Sequence, residues 1–298
     1  MIIIQRKATH AGSWYSGKES IILKEMEHLF SDSEFGPGQQ PFSENLEIRS
    51  IIGGVSPHAG YRFSGYCAAH TYLNLFREKI PDTIIILGTI HNPCRYENVA
   101  IFKKGVWETP LGNLIVDEEL ANKILDNCDL IKADNEAFTG ICESEHNIEI
   151  QLPFIKYCAK DSNVKIVPIK LGYTSFHNYD LCEEIANGLA KSIKSYDKDV
   201  VIVASSDMQH NTVLDSKKLE KFKSKDQKVI DAFKELEGRK LMDIVKDLSV
   251  CGPQTITTLV LTCKKLEAKK GEQLKHYTSV DKEGFGYCVG YFSGIIVK

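Results

Sequence analysis

The 298-residue sequence lacks any long apolar run. Its longest uncharged stretches, Leu248 to Cys263 with 16 residues and Gly284 to Val297 with 14, four of them glycine, are both too short to span a bilayer, and the second suits one or two strands. The opening "MIIIQRKATH" is too short for the core of a secretory signal, so the expectation is a soluble cytoplasmic protein without a membrane partner. A basic excess is also missing. The formal net charge is −3, which leaves no broad cationic face and argues against nucleic acid as a partner. Nine cysteines are scattered without a CxxC pair, so zinc-ribbon spacing is absent and reduced thiols in a cytoplasm are expected, most of them serving as small core residues. Repeats and low-complexity tracts are absent too. The only linker-like stretch is "SDSEFGPGQQPFSEN", residues 31–45, expected to join a helix over about residues 18–30 to the first central strand.

What is present is alternation. Four short apolar runs, Ile48–Val55, Thr83–Leu87, Lys165–Leu171 and Val200–Val203, are rich in β-branched residues and read as strands buried on both faces. Helical patterns lie between them. Ser64 and Asp117 are candidate N-caps, Pro153 marks a break or kink, and residues 179–193 and 215–248 read as helical. Tyr277–Lys298 reads as edge or hairpin strands. The sum is one α/β domain over residues 1–298: a three-layer α/β/α sandwich with a mostly parallel central sheet.

In such a sheet, ligands bind beyond the carboxyl ends of the strands. Three of the strands deliver an imidazole to that rim: His58 in "SPHAGYRFSG", His91 in "GTIHNP" and His210 in "ASSDMQH". Cys251 precedes Gly252-Pro253 at the start of a helical run, where unpaired N–H groups favour a thiolate. Two imidazoles and one thiolate are the donor set of an open, catalytic metal site rather than a closed structural one. His58, His91 and Cys251 are far apart in sequence, so only the fold can bring them together.

Six motifs, "HAGSWY" (10–15), "PHAGY" (57–61), "ILGTIH" (86–91), "EHNIEIQLPF" (145–154), "SSDMQH" (205–210) and "CG" (251–252), stand in the order found in the Memo family, and the chain resembles that family from residue 8 to its C-terminal strands. The Memo family is in turn similar to class III extradiol dioxygenases of the LigB type, which use non-haem iron. The resemblance implies a LigB-like fold, His58 and His91 as metal ligands, and His210 as the acid/base histidine. It also places Cys251 where those dioxygenases carry a carboxylate.

A thiolate is softer than a carboxylate, so the single expected ion is Fe(II) or copper, with zinc as an alternative. The surrounding pocket is expected to draw on Asp207 as the partner of a histidine or bound water, on His146 and Glu145 (with Glu143 beside them), on His10 and Trp14, and on Tyr61 with Phe63 as walls. Two functions fit. One is metal-dependent redox chemistry on an unidentified small molecule; the other is a peptide- or protein-binding module that reuses the pocket.

Overall fold

The computed structural model describes residues 4–91, 99–139 and 145–298. Among these, twelve strands join one sheet, with helices on both of its faces. Its centre is parallel: Leu114–Val116, Lys165–Leu171, Thr83–Thr89, Val200–Ser205 and Ile51–Ser56 lie side by side and run the same way.

Side-chain alternation along these strands makes the layers. Ile84, Ile86, Val201 and Val203 enter a core shared with helices Glu19–Ser31, Tyr66–Arg77 and Leu152–Ala159. Ile85, Leu87, Ile202 and Ala204 enter the opposite core, closed by helices Glu118–Asn127, Tyr179–Lys194, Ser216–Lys234, Gly238–Val245 and Pro253–Lys265. A strand with apolar residues at both parities must be covered on both faces, and each fully buried aliphatic side chain contributes about 1.5–3 kcal/mol.

The C-terminal segment forms the hairpin that was one of its two expected forms, though not at an edge of the sheet. Gly286–Val297 is not an edge strand: it lies between Ile51–Ser56 and His210–Val213 and also forms a long hairpin with Lys270–Thr278, antiparallel in every pairing. The sheet is therefore parallel at the centre and mixed outside it. Antiparallel strands need only short connections, and the link here is the five-residue helix Ser279–Glu283.

Local signals fared unevenly. Asp117 caps its helix by accepting from Leu120 N. Ser64 does not cap; its hydroxyl donates to Ala59 O, and a π-helical turn, Tyr61–Gly65, leads directly into Tyr66–Arg77. Pro153 stands in the first turn of Leu152–Ala159, where its missing N–H costs nothing, so it marks a start rather than a kink. Ile48 is exposed, and the first central strand begins only at Ile51. No helix among the described residues is long and apolar enough to cross a membrane. The described cysteines are all free thiols, buried except for the partly buried Cys251.

Candidate metal centre

The carboxyl ends of the central strands form the floor of a cavity of about 760 Å³. Strand Ile51–Ser56 ends two residues before His58, Thr83–Thr89 ends two before His91, and Val200–Ser205 continues into Ser206 and Asp207. Helix Pro253–Lys265 starts just beyond Cys251, whose backbone N–H donates to Asp207 O at 3.2 Å. Thus the donor atoms of His58, His91 and Cys251 all lie within 4.8 Å of one another, close enough to share one ion. Asp207, His210 and Cys251 meet the same criterion, so the thiol stands at the junction of both groups.

His58 is the most constrained member. It is 2% exposed, its backbone N–H donates to Asp207 Oδ1 at 2.8 Å, and its Nδ1 lies 3.0 Å from Ser205 Oγ. Its Nε2 is buried without a hydrogen-bond partner. Such an orphan costs free energy unless something electron-poor meets it, and a cation between two imidazoles and a thiol does so. Burial holds the ring neutral, with its pKa pushed down to about 3, so the lone pair is available throughout the neutral range. The residues therefore fit a metal ion.

Cys251 does not match the expected helix-end thiolate. Gly252 is the capping residue, and Cys251 lies outside it. Burial, followed by the Asp207 carboxylate, pushes the thiol well above its ordinary range. A cation at the shared position would reverse that balance, because a coordinated thiol loses its proton.

His210 faces the same space from the side. Its Nδ1 is 3.5 Å from Cys251 Sγ, its Nε2 is 3.9 Å from Asp207 Oδ2, and its ring stacks on Tyr287 with centroids 6.2 Å apart. Asp207 is engaged more closely with the His58 backbone than with the His210 ring. The ring of His210 is steered by Tyr287, and its backbone by Ser249, whose Oγ accepts from His210 N at 2.9 Å.

The remaining expected residues sort by depth. Trp14 and His146 line the cavity, packed at 4.4 Å between centroids, and His146 touches the rings of both His58 and His91. His10 sits behind them, edge-on to both. Glu145 is buried beneath the turn that carries His146, and its carboxylate accepts from Ile148 N and Glu149 N. Glu143 lies outside the described residues. Tyr61 is not a wall: its ring stacks on Tyr15 in the core, and its hydroxyl donates to Ile150 O, whereas Phe63 does line the cavity. Gly60 has an ordinary negative φ, so its value lies in close approach: an added Cβ would come 3.3 Å from Trp14 O.

Read from the sequence, the floor was visible and the opposite wall was not. Ser279, Glu283, Phe285, Tyr287, Val289 and Tyr291 form that wall. The signal available was the glycine–aromatic alternation "GFGYCVGY", read above only as strand. Glu149 was missed as well: its carboxylate accepts from Thr9 N, His10 N and the Tyr15 hydroxyl and pairs with Arg6 at 2.9 Å, which clamps the N-terminal segment across the site.

The profile of the family described as Memo-like protein matches residues 6–295. The chain belongs to the Memo family. Among Memo relatives, the MEMO1 family protein of Desulfurococcus amylolyticus is 37% identical over 290 residues, covering 96% of this chain and 97% of its own. The one from Sulfolobus acidocaldarius is 38% identical, covering 95% of this chain and 96% of its own, and that of Methanobrevibacter smithii is 35% identical at 97% and 99%. Among solved structures, an uncharacterized protein of Escherichia coli aligns with a TM-score of 0.50 at 12% identity, over 83% of this Memo chain and 100% of its own, a likeness of fold alone.

Proposed function

We propose that this Memo-family protein holds one metal ion, iron or copper by preference and zinc as the alternative, between His58, His91 and Cys251, and carries out metal-dependent redox chemistry on a small substrate in the adjoining cavity. When bound, the ion supplies Lewis acidity and, for iron or copper, electron exchange with dioxygen. His58 and His91 orient it from the floor. His210 exchanges a proton with the substrate from the side, at Nδ1 or Nε2, while Tyr287 holds its ring plane. Trp14, Phe63 and Tyr291 exclude water and offer apolar contact to a flat substrate. A reducing cytoplasm suits a centre that depends on a free thiol, and the described cysteines are unpaired.

The observation that carries this reading is the buried, partnerless His58 Nε2 at the meeting point of the three donors. Untagged protein purified without air should contain close to one equivalent of iron or copper, and should consume oxygen with one member of a panel of aromatic diols. Protein without metal, which also fails to bind Fe(II), Cu(I) or Zn on reconstitution, would end the proposal.

A second reading draws on Phe285 and Tyr287, which stand 54% and 69% exposed beside the cavity. Exposed aromatics at a cavity edge suit a peptide segment. On that reading the loaded protein binds peptides by calorimetry and consumes no oxygen with any diol.

A further inference from the structure

Four buried polar side chains, Tyr72, Gln151, Ser205 and His58, form a chain that ends at the partnerless Nε2. Its protons can be counted. The Tyr72 hydroxyl donates to Gln151 Oε1 at 2.9 Å, which fixes the amide orientation. Gln151 Nε2 then spends its two protons on Pro57 O and Ser205 Oγ, both at 3.0 Å. Ser205 has one proton, and it goes to Asn147 O at 2.7 Å, because a carbonyl can only accept. Ser205 Oγ therefore has no proton left for His58 Nδ1 at 3.0 Å and must accept one from it.

From this count we infer that Ser205, backed by Gln151, is a positioning residue that locks His58 in the tautomer protonated on Nδ1, so that Nε2 meets the ion as a bare lone pair. The inference rests on the metal-centre reading above. Reversing the tautomer would turn the Ser205 proton away from Asn147 O and leave two oxygens facing at 2.7 Å, an unmet buried acceptor that biases the ratio by about tenfold or more. Partners of this kind behind metal-binding histidines fix ring orientation and ligand basicity. Part of the "EHNIEIQLPF" motif is thereby explained: Asn147 and Gln151 hold the serine that holds the ligand. Gly88 on the neighbouring strand makes room for Asn147, since an added Cβ would clash with its Oδ1.

The test uses metal-free full-length protein with 15N-labelled histidine, and Co(II) as the probe ion. In the wild type at neutral pH, the His58 signals should show a protonated Nδ1 and an unprotonated Nε2. Ser205→Ala should average the two ring-nitrogen shifts and weaken Co(II) binding, followed by the thiolate-to-cobalt absorption, by about 10- to 100-fold. Ser205→Thr, which keeps the hydroxyl, should restore both to within about threefold. A wild-type ring protonated on Nε2 overturns the lock whether or not cobalt binds, and whether or not Ser205→Ala folds. Unchanged Co(II) affinity in a folded Ser205→Ala overturns it as well. A ring protonated on Nδ1 in a protein that binds no cobalt upholds the lock and sinks the metal reading alone.

Discussion

The floor and the far wall of the cavity are built on opposite terms. Most of the floor is sheet end: His58, Ser205 and Asp207 are at most 4% exposed and tied to one another or to neighbouring backbone, while His91 beside them is exposed. The wall is the helical link Ser279–Glu283, the turn after it and the start of strand Gly286–Val297, with Gly284 at φ +87° and with Phe285 and Tyr287 largely exposed. Donor atoms that must share one ion within a few tenths of an ångström need the first kind of support, because a strand end has few ways to relax. Groups that admit and release a substrate need the second, in which local opening is cheap. Changes on the floor should therefore alter what the protein holds, and changes on the wall only what it prefers.

The largest expected contrast sets His58→Ala against His210→Gln. His58→Ala deletes one of three donors and should reduce metal affinity by more than about 100-fold, since outer-sphere partners alone are worth about 10- to 100-fold. His210→Gln should leave metal content near that of the wild type while lowering any turnover by about 10²- to 10⁴-fold, the range for a lost general acid–base group. Metal analysis of both variants, together with oxygen uptake, decides it. An empty site in His210→Gln would make His210 a ligand, a role its 3.5 Å distance from Cys251 Sγ permits, and would erase the division between floor and side.

How much of this was legible depended on whether a residue's role was local. Strand Lys165–Leu171 was read to the residue because its run is short, β-branched and apolar at both parities, the pattern of a strand covered on both faces. His58, His91 and Cys251 were legible as candidates because a strand end and a helix start are local features that meet at a known place in the fold. The wall was not legible. Its residues matter only because Gly286–Val297 pairs with Ile51–Ser56, about 240 positions away in sequence, and nothing in "GFGYCVGY" announces that partner. Tyr61 failed for a related reason. It lies in the same motif as His58, but a π-helical turn aims its ring into the core instead of the cavity. Sequence proximity to a candidate ligand said nothing about direction.

Acid should expose the floor through stability. The folded-state pKa of His58, pushed down to about 3, lies below the usual imidazole value of 6.5, so the unfolded chain takes the proton first. Its contribution is fully present above about pH 6.5 and is lost as the pH falls toward 3, with a magnitude of order a few kcal/mol in metal-free protein. Glu145 runs the other way. Burial raises its carboxyl from 4.5 to about 6, so it contributes stability at low pH that is lost as the pH rises through that window. Between about pH 6 and 4.5 the two oppose, and below 4.5 His58 acts without opposition. Thermal melts should fall gently at first and then steeply, with His58→Gln flattening the whole curve and Glu145→Gln steepening its upper part. Wild type and His58→Gln with parallel curves would show that His58 is not charged on unfolding.

The smallest expected effect tests the wall. Phe285 is more than half exposed, makes no hydrogen bond through its side chain, and follows a glycine whose positive φ already fixes the turn. Phe285→Ala should therefore change thermal stability by no more than about 0.5 kcal/mol, the usual range for surface positions. Metal content should not move. What should change is the apparent affinity for a substrate or peptide, weaker by up to about tenfold, or ~1.4 kcal/mol, the scale of losing part of one aromatic contact. If the ligand is a small aromatic seated on the floor, the loss should be nearer twofold, because such a molecule reaches Trp14 and Tyr291 before it reaches the rim. If the ligand is a peptide lying across the mouth, the full tenfold should appear, and Tyr287→Ala should add to it. A Phe285→Ala variant that loses its metal would instead show that the wall supports the centre, and the difference between the two sides of the cavity would be one of exposure only.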